Sequence, residues 1–192
     1  MKKRRNRPIL KRIILILMIG TSAALQYSAA RYISVAGVFP NFMLVAAVTA
    51  GYTLGSETGG FTGLCLGFYQ DAQSGKILGM YALLFLYAGV IAGLIPKKSN
   101  ASDLPMALIA VYALTVLSEG ATYLFAYVIP IMRAGLIPGA DILRAVGTVI
   151  VPAAFLNVVC SIPYYFILRP GARTDASDGN RTGDEIQPAE SF

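Results

Sequence analysis

Apolar residues run in long blocks, separated by brief charged or glycine-rich stretches. Ile13–Ala30 has 18 residues without a charge, Tyr32–Ser56 has 25, Thr58–Gln70 has 13 and Ile77–Ile95 has 19. Leu104–Met132 spans 29 residues interrupted only by Glu119, and Ala145–Leu168 spans 24. A helix needs about 20 apolar residues, with a range of about 17 to 25, to cross a bilayer. Four of the blocks meet that length and predict one span each. The region Tyr32–Gln70 holds 39 residues with Glu57 near its middle, too long for one span. Its pattern predicts a helix over Phe39–Gly55, a tight turn at Ser56–Glu57–Thr58–Gly59, and a short helix ending at Asp71.

The placement of charge supports dividing that region in two. With six spans and an inward N-terminus, twelve basic residues fall on the cytoplasmic side: the seven within residues 1–12, then Lys97, Lys98, Arg169, Arg173 and Arg181. Arg31, Lys76, Arg133 and Arg144 fall outside. With five spans the division becomes ten and six. Short cytoplasmic loops carry the excess of Lys and Arg in membrane proteins, so six spans fit better. The expected organisation is all-α and polytopic, with both termini cytoplasmic. Residues 1–12 form a basic N-terminus, 13–168 a six-span domain, and 169–192 a disordered cytoplasmic tail. The small-residue sequence Ser28–Ala29–Ala30 after a basic start resembles a signal cleavage site. The length of the first block, and the spans that follow it, favour an uncleaved helix.

Composition narrows the chemistry. Of the 192 residues, 56% are hydrophobic and 14% charged, against about 25% charged in soluble domains. The absence of histidine removes His-based triads, metal sites and general bases. Cys65 and Cys160 lie in apolar blocks without the spacing of a metal or redox pair, and read as small buried residues. The net charge of +6 is a terminal excess on a nearly neutral body, which points to membrane orientation and not to nucleic acid. No cofactor or metal site is expected. Hydrolysis within the membrane would need a paired acid, a Ser–His set or a metal site, and apart from Glu119 the spans offer no second acid and no histidine; Glu57 and Asp71 are expected at opposite membrane faces.

Three patterns remain as candidates for function. Gly51, Gly55, Gly59, Gly63 and Gly67 recur every four residues, and Gly89 and Gly93 repeat the spacing. Small residues at that interval line one helix face and let another backbone approach. They serve packing within the chain or a face for a partner subunit; Gly55 and Gly59 also suit a helix end and turn. Glu119 is the lone charge inside a long block, and intramembrane charges are functional candidates. Asn157 is expected at similar depth, so Glu119 is expected to bond Asn157, to be protonated or to face a polar cavity. Polar bonding between helices is the structural alternative. Asp71-x-x-Ser74-Gly75-x-x-Leu78-Gly79 reads as an outer turn with a capping aspartate.

Several of these residues carry a family resemblance. Pro40–Asn41 before an apolar helix, the glycine-rich Gly59–Gly63 segment, and Gly67 through Asp71, Ser74, Gly75 and Gly79 to Leu84 together resemble the MreD family of rod shape-determining membrane proteins. Asn41 stands where that family more commonly has an acidic residue. The resemblance implies a non-enzymatic scaffold in the bacterial cytoplasmic membrane. It implies as partners an MreC-like single-span protein, the actin-like MreB, and a RodA-type glycosyltransferase with its transpeptidase, acting in lateral peptidoglycan synthesis. The family also resembles in fold the substrate-binding S-components of ECF vitamin transporters, which gives a small-molecule-binding transporter subunit as the alternative. Gly20, Ala24 and Ser28 form a weak version of the coupling face such components use.

Overall fold

Asn41 starts the central helix of the protein. Its side-chain oxygen accepts the Leu44 N–H at 3.1 Å, satisfying one of the donors that the first turn of a helix leaves open. The helix it caps, α2 (Phe42–Leu54), is buried on every side from Phe42 to Thr53. That is why its sequence is apolar all round and has no polar stripe. Around it stand α1 (Arg7–Ser28), α3 (Ser56–Ser74), α4 (Met80–Leu94), α5 (Asp103–Tyr123) and α7 (Val151–Asp184), all of which touch it. A π-helical stretch, Leu124–Val128, carries α5 into the short α6 (Ile129–Arg133), and a second, Val146–Ile150, leads into α7. The computed structural model describes residues 7–28, 32–33, 37–75, 78–96, 103–134, 144 and 146–184, with side chains between 13 and 169. The basic residues 2–5, Arg31, Lys76, Lys97 and Lys98, and the end of the tail from 185, lie outside the described residues.

Both π-helical stretches end two residues before a proline, Pro130 and Pro152. Proline gives no N–H to the carbonyl four residues back, and its ring crowds that carbonyl. A locally wider turn accommodates it: the Ile129 N–H bonds the Leu124 carbonyl, five residues back. Pro163 lies inside α7 without ending it.

Two boundaries differ from expectation. The turn between α2 and α3 is Gly55 alone, not Ser56–Gly59. Gly55 has φ 106° and ψ 165°, a conformation open to glycine, and reverses the chain by itself. The Gly59 N–H already bonds the Gly55 carbonyl at 3.0 Å, so Ser56–Gly59 is the first turn of a longer α3. At the other end, the backbone of α7 runs on to Asp184, past Gly171, where composition predicts no regular structure. Extending an existing helix requires no new nucleus.

The outer surface is unlike that of a water-soluble bundle, and the mainly apolar interior also holds a set of polar side chains. Large apolar side chains face outward, including Ile16, Leu94, Ile109 and Phe155, each about two-thirds exposed. The interior holds Thr62, Asp71, Thr115, Asn157 and Ser161, all 3% exposed or less. Leu104–Arg133 and Val146–Arg169 are long and apolar enough to cross a membrane; Ile13–Ser28, Phe42–Leu54 and Met80–Leu94 are shorter apolar helices. An apolar exterior around polar groups that, Thr49 Oγ1 apart, bond within the protein suits a lipid solvent, which offers no hydrogen bonds.

Candidate functional site

Polar side chains from three helices, α1, α5 and α7, converge on the N-terminal end of α2 and its cap Asn41. The Asn41 backbone N–H donates to Asn157 Oδ1 at 2.7 Å, and Asn157 Nδ2 donates to Thr115 Oγ1 at 3.3 Å. This joins α2, α7 and α5 through one fully buried amide. Asn41 Nδ2 reaches Glu119 Oε1 at a longer 3.4 Å, one helical turn beyond Thr115. On the other flank, Gln26 of α1 accepts the Phe42 N–H through Oε1 at 2.8 Å and donates to the Pro40 carbonyl through Nε2 at 3.3 Å. Glu119 and Asn157 therefore meet through Asn41. Asn41 acts as helix cap through its side-chain oxygen, as donor of an inter-helix tie through its backbone N–H, and as donor to the half-buried carboxylate through its side-chain amide.

The identity of residue 41 follows from these contacts. Asparagine and aspartate cap helices about equally well. An ionised aspartate has no N–H to offer Glu119 and would set a second negative charge beside it. Asparagine keeps the cap and turns the contact into a donor–acceptor pair.

A second set of bonds joins α3 to α4 at the same end of the bundle. Asp71, 3% exposed, accepts three backbone N–H groups: Tyr81 through Oδ1 at 3.0 Å, and Gly79 and Ala82 through Oδ2 at 3.1 and 3.0 Å. Those groups are the otherwise unpaired donors at the start of α4, and the helix dipole favours a carboxylate there. Ser74 Oγ donates to the Asp71 carbonyl at 3.3 Å. Gly75 and Gly79 take left-handed conformations, φ 61° and 89°, which turn the chain back over Asp71. The Asp-x-x-Ser-Gly-x-x-x-Gly spacing is thus the spacing of a helix cap supplied by the preceding helix. Tyr27 of α1 lies edge-on to Tyr69 and donates to Gln70 Oε1 at 3.3 Å, which brings α1 onto the same end of α3.

The glycines lie inside the chain. Gly51 of α2, Gly59 of α3 and Gly89 of α4 meet at one point, where a β-carbon on any of them would overlap the backbone of another. Further along, a β-carbon on Gly63 would meet the Phe85 carbonyl, one on Gly67 would meet Ala82, and one on Gly93 would meet Ser56. Gly55 has open space around it and serves the turn.

Asn41 enters the sequence reading only through the family resemblance, and Gln26 and Thr115 do not enter it. Asn41 carried a signal, an Asn following Pro just before an apolar run, which is a helix start. Thr115 and Gln26 are single neutral polar residues within apolar blocks, and nothing in their spacing marks them.

The cluster holds one carboxylate, three amides and a hydroxyl that bond to one another and to the main chain. It provides ties between helices. No group of three or more potential metal ligands occurs among the described residues. A family model described as rod shape-determining protein MreD matches residues 6–170. No curated protein and no solved structure gives a significant match.

Proposed function

The chain belongs to the MreD family of rod shape-determining proteins, and from that membership we propose that it is a non-enzymatic scaffold of the cell-elongation machinery. In this reading six helices thread the cytoplasmic membrane with both termini inside. The protein holds an MreC-like single-span partner in register with MreB, a RodA-type glycosyltransferase and its transpeptidase, and so directs lateral peptidoglycan synthesis. The observation that carries the reading is the family match, which covers every helix from α1 to the membrane-length part of α7.

The internal chemistry is in keeping with a scaffold. Asp71 is engaged by three backbone donors, Asn157 bonds two helices, and the glycine faces bring α2, α3 and α4 into close contact. These features make a stiff body suited to presenting fixed outer surfaces. The test is depletion in a rod-shaped host, combined with affinity purification of the tagged protein from membranes. Rounding of the cells and co-purification of an MreC-like protein are expected. Cells that stay rod-shaped, and a protein that purifies alone, would overturn the proposal.

A further inference from the structure

The hairpin of α3 and α4 is short, and its two helices are flush. Near the end of α4, Gly93 packs so closely on Ser56 at the start of α3 that an added β-carbon would overlap the Ser56 backbone. At the other end Asp71 of α3 bonds the Gly79, Tyr81 and Ala82 N–H groups that open α4. Between them, Gly63 against Phe85 and Gly67 against Ala82 lock the register, so neither helix reaches past the other. The exposed face of α3 runs from Glu57 through Phe61 and Phe68 to Gln73. The two polar side chains that bound it stand about 24 Å apart along the axis. On α4 the exposed apolar side chains run from Leu83 to Leu94, about 17 Å, and Leu78 in the turn extends them to at most about 24 Å.

The neighbouring α5 is tall. With the π-helical stretch after it and α6, it exposes apolar side chains from Met106 to Met132, about 38 Å along the chain. Glu119, the lone charge in that length, turns to Asn41. A hydrocarbon core is about 30 Å thick. The tall side exceeds it and the α3–α4 face falls short of it. Tilting does not reconcile the two. It lowers the height of every helix along the membrane normal, so it accommodates a long helix and shortens a short one further. A full-thickness bilayer would leave the Glu57 carboxylate or the Gln73 amide in hydrocarbon, where charged and polar groups are costly. The remaining response to a short helix is a thinner bilayer.

We propose that the α3–α4 face thins the bilayer beside it and gathers phospholipids with short acyl chains, so that the protein sets a step in membrane thickness between this face and α5. The inference rests on α3 and α4 both crossing the membrane, as in the six-helix reading above, and not on the partners named there.

The chain has no tryptophan, so one introduced residue reports on one face. Phe68→Trp on α3 and Tyr87→Trp on α4 replace exposed rings on the short side, and Ile109→Trp replaces an exposed residue of α5. Each full-length variant is reconstituted with brominated dimyristoleoyl, dioleoyl or dierucoyl phosphatidylcholine, in order of increasing chain length, diluted with unbrominated dioleoyl lipid. Quenching of the tryptophan gives the relative affinity of each lipid at that site. In Phe68→Trp and Tyr87→Trp the dimyristoleoyl lipid should be preferred over the dioleoyl lipid by about threefold, and in Ile109→Trp it should not be preferred. Adding Glu57→Leu and Gln73→Leu to Phe68→Trp lengthens the apolar face and should abolish that preference. The same order of chain lengths in all three variants, or a preference unmoved by the two leucines, overturns the proposal. Quenching of Phe68→Trp by none of the lipids also overturns it, and would place α3 against protein or outside the membrane.

Discussion

Asn157, on α7, holds the residue that caps the central helix: its Oδ1 accepts the Asn41 N–H at 2.7 Å while its Nδ2 bonds Thr115 on α5. Three helices depend on one side chain that is wholly buried. Asn157→Leu keeps the branched shape in a larger side chain and leaves the Asn41 N–H without its acceptor. A buried polar group stripped of its partner costs about 1–3 kcal/mol. The variant should unfold at a lower temperature in detergent, measured by loss of helical circular dichroism. An unchanged midpoint would show that Asn41 finds another acceptor.

Asp71 performs for α4 what Asn41 performs for α2, but across a turn. Replacing Asp71 with Ala exposes three N–H groups at a buried helix start, and losing a cap alone costs about 0.5–2 kcal/mol. Asp71→Asn retains a single acceptor oxygen and should fall between Ala and the unmodified chain in thermal stability. Equal stability of the Asn and Ala variants would mean that the charge, and not the number of bonds, sets the effect.

The glycines separate by what surrounds them. In an exposed helix interior, Gly→Ala gains about 1 kcal/mol from propensity. Gly20, with nothing within 4 Å of an added β-carbon, should follow that rule. Gly63 should reverse it, because its β-carbon would meet the Phe85 main chain, and overpacking of this kind typically costs about 1–3 kcal/mol. Opposite signs for Gly20→Ala and Gly63→Ala in thermal unfolding are the expected result. If Gly63→Ala stabilises the protein, the contact between α3 and α4 is looser than the structure has it.

How far the sequence carried these readings depended on the kind of signal each residue leaves. The apolar blocks around Ile13–Ala30, Ile77–Ile95, Leu104–Met132 and Ala145–Leu168 each became a helix, because block length and lack of charge are properties of a single segment. The four-residue glycine spacing announced close approach, but not which backbone would approach; Gly51, Gly59 and Gly89 come from three helices, and their meeting is a tertiary fact. The turn was misplaced because Ser, Glu, Thr and Gly are common in turns and equally good in a first helical turn, while the deciding feature was the positive φ of Gly55. Asp71 was legible as a cap, though its recipient, the start of α4, was not. Thr115 and Gln26 left no trace at all, since one hydroxyl or amide in an apolar block is ordinary until a partner such as Asn157 or Pro40 is placed against it.

Asn41 and Glu119 make the sharpest test of the cluster, since their contact depends on one being a donor. Asn41→Asp preserves the helix cap but faces Glu119 with a second carboxylate. Like charges so placed force one group to take up a proton or the pair to separate. The single variant should be destabilised, more at neutral pH than in mild acid, where a shared proton is available. Glu119→Gln on its own keeps an acceptor oxygen for Asn41 Nδ2 and should leave stability and rod-shape complementation near those of the unmodified chain. Combined with Asn41→Asp, it supplies the donor that the pair then lacks, so the double variant should recover most of the lost stability. Neighbours in direct contact commonly couple by about 0.5–3 kcal/mol in such cycles, and a coupling in that range is expected here. Strict additivity of the two changes would mean that Asn41 and Glu119 do not interact, and that Glu119 serves something other than this end of α2.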